Sequence, residues 1–110
     1  MGSNGREPAT TASPPTTAEI RWRFPLGQIV ITPGALMCCA DAGVNPANLL
    51  RRHMVGDWGD LDAEDHAAND AALRRGSRLV SAYTLPTGER IWIITEADRS
   101  ATTLLLPSEY

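Results

Sequence analysis

Ser77-Arg78-Leu79-Val80-Ser81-Ala82-Tyr83-Thr84-Leu85, then Pro86-Thr87-Gly88-Glu89, Arg90-Ile91-Trp92-Ile93-Ile94-Thr95-Glu96, Ala97-Asp98-Arg99-Ser100 and Ala101-Thr102-Thr103-Leu104-Leu105-Leu106 decide the fold. Three short β-rich runs are separated by turns of four residues, and turns this short demand antiparallel neighbours. Leu79, Tyr83 and Leu85 alternate onto one face, while Ile91 and Ile93 lie opposite Trp92 and Ile94. The middle run is therefore apolar on both faces and suits the centre of a C-terminal three-strand meander.

Upstream of Gly76 the period changes. Asp62 followed by Asp65 reads as an N-cap with an acidic first turn, and Ala63 to Arg75 as an Ala-rich helix ending in two arginines before glycine. Asn45-Pro46 opens another helix over Ala47 to Val55, with Leu49, Leu50 and Met54. Thr32-Pro33 opens a third, through Ala42 to Gly43. Leu26 to Thr32 is β-branched and too short for a helix, so it reads as a first strand, at an edge or beside the meander. The expected fold class is α+β: an antiparallel sheet of about four strands with about three helices on one face.

Residues 1 to 18 offer almost nothing large and apolar and read as a disordered arm before a single domain over 20–110. At 110 residues, one core is the expectation. Apolar residues at 43% and charged residues at 21% match ordinary soluble proteins. No apolar run approaches the roughly 20 residues that cross a bilayer, and no basic start precedes an apolar stretch, so a cytoplasmic location is expected.

All ten basic residues are Arg, and the net charge of -3 opposes nonspecific nucleic-acid binding, which needs a basic surface. The adjacent Cys38 and Cys39 cannot form a disulfide framework and read as small hydrophobes on a helix.

Three groups of residues carry conceivable chemistry. Arg51, Arg52, His53, Asp57, Asp60, Asp62, Asp65, His66, Asn69 and Asp70 form the densest polar run, with Trp58 as an aromatic plug. Its oxygen and imidazole groups suit a hard cation by composition. Its spacing matches no HExxH, EF-hand or paired-cysteine pattern, so capping and a solvated face are expected and no metal or cofactor. A nucleophile beside His53 or His66 would come from Ser77, Ser81 or Ser100, without a G-x-S-x-G elbow. Thr95 to Ser100 places Glu96, Asp98, Arg99 and a hydroxyl on one turn, with Arg78 or Arg90 across the sheet. As a site it is a general acid/base or phosphate clamp. As an ordinary hairpin, Asp98 caps the turn and Glu96 pairs with Arg90 or Arg99.

Phe24-Pro25-Leu26-Gly27, Thr32-Pro33-Gly34-Ala35, Arg52-His53, Gly56-Asp57-Trp58-Gly59-Asp60-Leu61, Ser81-Ala82-Tyr83 and Trp92 through Ser100 resemble a family of short bacterial proteins labelled plasmid-related or hypothetical, and sometimes subunits of restriction systems. The resemblance covers roughly residues 24 to 110 and implies a setting on plasmids and integrated mobile elements, with no activity to carry over. The restriction label finds no match in a chain too short for a methyltransferase domain and without a nucleotide-binding glycine loop. The expectation is a non-enzymatic accessory or regulatory protein with a protein partner, for which Asp57, Trp58, Asp60, Arg78 and Asp98 are binding candidates. The alternative is a toxin-type nuclease using His53 or His66 as base, Glu96 as its partner and Arg78 or Arg99 for phosphate.

Overall fold

Three capping side chains start the three helices. Thr32 accepts the Ala35 N–H, Asn45 the Ala47 N–H and Asp62 the Asp65 N–H, opening α1 (Pro33–Ala42), α2 (Pro46–Met54) and α3 (Ala63–Arg75). Gly43 and Gly76 end α1 and α3 in the left-handed conformation, as expected of C-caps. The strands are β1 (Gln28–Ile31), β2 (Leu79–Thr84), β3 (Arg90–Thr95) and β4 (Ala101–Leu105), followed by a 3-10 turn over Pro107–Glu109. The structure, a computed structural model, describes residues 23–110. The expected arm, and residues 20–22 of the expected domain, lie outside the described residues.

The chain folds as α+β, with a four-stranded sheet in the order β1-β4-β3-β2. The meander is antiparallel, running from Leu79↔Thr95 to Thr84↔Arg90 between β2 and β3 and from Trp92↔Leu105 to Thr95↔Thr102 between β3 and β4. β1 takes an edge and pairs with β4 in parallel, Gln28↔Ala101 to Ile31↔Leu104. Because all the helices and two strands intervene between β1 and β4, no short turn forces that pair to be antiparallel.

α1 and α2 lie on one face. Ala35, Cys39 and Leu49 pack there on Tyr83, Leu85, Ile91, Ile93 and Leu104. A second cluster joins Phe24, Trp58, Ala72 and Leu79. Each large apolar side chain buried here contributes about 1.5–3 kcal/mol relative to exposure. Cys39 is fully buried and Cys38 half-buried, both as free thiols. Among the described residues no helix is long and apolar enough to cross a membrane.

α3 runs along the outer edge of β2 and seals it. The Ala82 N–H donates to the Trp58 carbonyl and the Asp60 N–H to the Ala82 carbonyl. The Thr84 N–H meets Asp60 Oδ2 at 2.8 Å, and Asn69 takes both backbone groups of Val80. The opposite sheet face, carrying Val80, Ala82, Trp92 and Ile94, bears no packed helix among the described residues. It is overlapped at one side by Tyr110, whose ring meets Trp92 at 5.6 Å between centroids.

Candidate functional site: the open sheet face

His53 shares the buried stripe of α2 with Leu49, and its imidazole is completely enclosed. Nδ1 lies 2.5 Å from Ser81 Oγ, and Nε2 lies 2.9 Å from Thr95 Oγ1. Thr95 Oγ1 in turn lies 2.7 Å from Thr102 Oγ1, which donates to the Leu26 carbonyl at 2.7 Å. A carbonyl only accepts, so three hydrogens run in one direction: His53 Nε2 to Thr95, Thr95 to Thr102, Thr102 to Leu26. Nε2 therefore carries a hydrogen, and in the neutral ring Nδ1 accepts from the Ser81 hydroxyl. Burial, and then the positive charge of Arg99, push its pKa down to about 3.

The Ser81–His53 contact has the outline of a nucleophile and its base. Both side chains, with Thr95 and Thr102, are nevertheless fully buried. An imidazole whose pKa is pushed down to about 3 is a poor acceptor for a serine proton near neutrality. The network satisfies polar groups inside the core.

The polar run from Asp57 to Asp70 is consumed largely in holding the loop before α3 against β2. Asp57 receives Arg52 Nε at 2.7 Å and the Gly59 N–H at 3.2 Å, and its carbonyl accepts the Tyr83 hydroxyl at 2.6 Å. The bond from Arg52 holds the Asp57 carboxyl below the usual carboxylate range. Trp58 is buried, as expected of a plug, and donates from Nε1 to Asp70 Oδ1 at 3.1 Å. His66 Nε2 lies 3.2 Å from the Gly59 carbonyl. No group of three or more His, Cys, Asp or Glu among the described residues is placed to hold a metal ion.

At the turn after β3, Asp98 Oδ1 accepts the Ser100 N–H at 3.0 Å, the cap expected of a hairpin. Arg99 has a φ of +62° and donates to four carbonyls: Ser77, Glu96 and Ala97 from Nη1, and Ala72 from Nη2. Its guanidinium therefore ties the turn to the end of α3. The expected pairing of the Glu96 carboxylate with Arg90 or Arg99 does not form: Arg99 binds the Glu96 backbone instead. Arg90 and Glu96 stand at opposite ends of β3, about 20 Å apart at ~3.3 Å per residue. His53 lies in the core, His66 beside the α3 loop and Glu96 on an exposed turn, so these nuclease candidates do not assemble into one cleft.

What the fold brings together instead is a groove of about 700 Å³ on the sheet face that bears no packed helix among the described residues. Val80, Ala82 and the half-buried Trp92 form its floor, Asp62 and Asp65 of the α3 start form one wall, and Arg78 and Arg90 stand at its ends. Asp60 also borders the groove, its carboxyl held below the usual range by hydrogen bonds from Thr84. Arg78 reaches Tyr110 through its hydroxyl and ring. Arg78 and Asp60 were legible as candidates; Trp92 and Tyr110 were not. The available signal was the count of elements, since three short helices cannot cover both faces of a sheet in which Trp92 and Ile94 point away from Ile91 and Ile93.

Compared with known proteins, the chain matches no family model, no curated protein and no solved structure.

Proposed function

We propose that the protein is a non-enzymatic interaction module that binds a segment of a partner protein on the open face of its sheet. The observation that carries this reading is the groove itself. An aromatic and aliphatic floor lies between carboxylates on one wall and guanidinium groups at both ends. Such a surface suits an extended segment that sets an apolar side chain on Trp92 and a basic one against Asp62 and Asp65. Apolar area supplies affinity and charge supplies register. The resemblance to plasmid-related bacterial proteins favours an accessory or regulatory role on a mobile element.

A displayed peptide library tests the reading. Selection on the intact chain should enrich segments combining an aromatic or aliphatic residue with Arg or Lys. Their affinity should fall at least tenfold for Trp92→Ala and for Asp65→Arg, two changes at the half-buried floor and the exposed wall. Selected peptides that bind both variants as tightly as the native chain would refute the groove as the binding surface.

A further inference from the structure

The two edges of the sheet are treated differently. On β2 the outward backbone groups of Val80, Ala82 and Thr84 are bonded to the α3 region. On β1 the Gln28 N–H donates to the Ser100 carbonyl and the Thr32 N–H to the Leu104 carbonyl. Those bonds fix the parity of the strand: Gln28, Val30 and Thr32 face β4, and Ile29 and Ile31 direct their N–H and C=O groups outward. Among the described residues, nothing bonds them there. Ile29 is 51% exposed and Val30 42%, on opposite faces of the same strand.

Short length apart, this edge lacks the devices that discourage pairing. Gln28-Ile29-Val30-Ile31 contains no charge, proline or bulge. α1 follows β1 after Thr32 alone and packs on β4. Cys38 occupies the flank of α1 that meets the core, whereas Leu36, on the other flank, is 51% exposed. An uncharged strand edge is thus bordered by an uncharged helix flank.

We infer that β1 is a self-association edge, on which a second copy of this chain adds its own β1 in antiparallel orientation. The parity selects the register. With a two-fold axis through Val30, Ile29 meets Ile31 of the second copy in a hydrogen-bonded pair, and Val30 faces its counterpart in a non-hydrogen-bonded one. Four backbone bonds form, and equivalent sheet faces stay on the same side. The same strand is self-complementary, and its neutrality favours another neutral strand over a charged segment. Residues 1–22 fit less well: their only large apolar residues beyond Met1 are Ile20 and Trp22. These adjoin Arg23, which is bonded to the Met54 carbonyl, and Phe24, which packs by Leu79 of the opposite edge strand. A four-residue strand pair is a small interface, so the dimer is expected to dissociate on the order of 100 µM.

Sedimentation of the full chain from about 10 µM to about 1 mM should show a reversible monomer–dimer equilibrium. Association should weaken at least tenfold in Ile29→Lys and in Ile29→Pro, whose lost N–H points away from β4, with melting temperatures close to the native one. Amide protection at Ile29 and Ile31 should rise with protein concentration. Under mild oxidation Val30→Cys should cross-link to a dimer, whereas Ile29→Cys and the native chain, which holds Cys38 and Cys39, should not. A native chain that stays monomeric throughout, dimers that survive both Ile29 substitutions, or equal cross-linking of the two cysteine variants would overturn the proposal. So would concentration-independent protection of Ile29 and Ile31, which would place a segment of the same chain on the edge.

Discussion

The side-chain amide of Asn69 binds Val80 as a neighbouring strand would: Oδ1 accepts the Val80 N–H at 3.1 Å, and Nδ2 donates to the Val80 carbonyl at 2.5 Å. One residue of α3 thus supplies both halves of a ladder pair at the edge of β2. Asn69→Ala should cost roughly 2–3 kcal/mol, because it removes two bonds and leaves partly buried backbone groups unpaired. Asn69→Asp retains only an acceptor at neutral pH and sets a carboxylate against the Val80 carbonyl. Its deficit relative to the native chain should shrink once acid restores a donor. Urea denaturation of all three proteins at pH 7 and pH 4 measures both effects.

The enclosure of His53 makes the fold acid-sensitive above the range in which carboxylates titrate. Its pKa is about 3 in the folded chain against 6.5 unfolded, so between these values the unfolded chain binds a proton that the folded chain refuses. Its contribution is complete above pH 6.5 and is lost as pH falls toward 3, by up to ~1.4 kcal/mol per pH unit. The melting temperature should decline from pH 6.5 to pH 5 and the decline should flatten in His53→Gln, even though that variant begins less stable. An unchanged slope would mean that another group is responsible.

Arg99 should prove a structural residue. Arg99→Ala removes donors from four carbonyls and should cost about 2 kcal/mol, more than the 0–1 kcal/mol of an ordinary exposed ion pair. Arg99→Gly accommodates the positive φ but loses the same bonds, so it should fall between Ala and the native residue. Glu96→Ala, at an exposed carboxylate, should stay within about 1 kcal/mol of the native chain. Chemical denaturation of the three variants ranks them directly.

Gly59 cannot be replaced without moving the loop from β2. Its φ is +81°, and a Cβ there would stand 2.1 Å from the Ala82 carbonyl oxygen. Gly59→Ala should cost at least ~2 kcal/mol and expose Trp58. A red-shifted, more quenchable Trp emission together with a lower melting temperature would report both consequences.

The helix limits were legible because their causes lie within four residues: Thr32, Asn45 and Asp62 each cap a helix that begins at the next position. Asp98 was legible as a turn cap for the same reason. Glu96 was misread as an ion-pair partner because Arg90 stands at the far end of the same strand, and because the Arg99 guanidinium turns to backbone carbonyls rather than to the carboxylate. The groove was only half legible. Its charged residues stood out in the sequence, but Trp92 looked like any core aromatic until its half-buried place in the groove was known.

By itself the sequence determined the secondary elements, the C-terminal meander and the face that Leu79, Tyr83, Ile91 and Ile93 turn to the helices, since caps, short turns and period-two alternation act locally. Only the tertiary structure decided that β1 lies parallel to β4, across some seventy residues of chain. It alone closed His53 into a hydrogen-bonded core, gave Asn69 the part of a strand and, among the described residues, left the Trp92 face without a helix and the β1 edge without a partner strand. These outcomes depend on which surfaces find partners when a few short helices meet one sheet, a balance of burial and hydrogen bonding that no local segment contains.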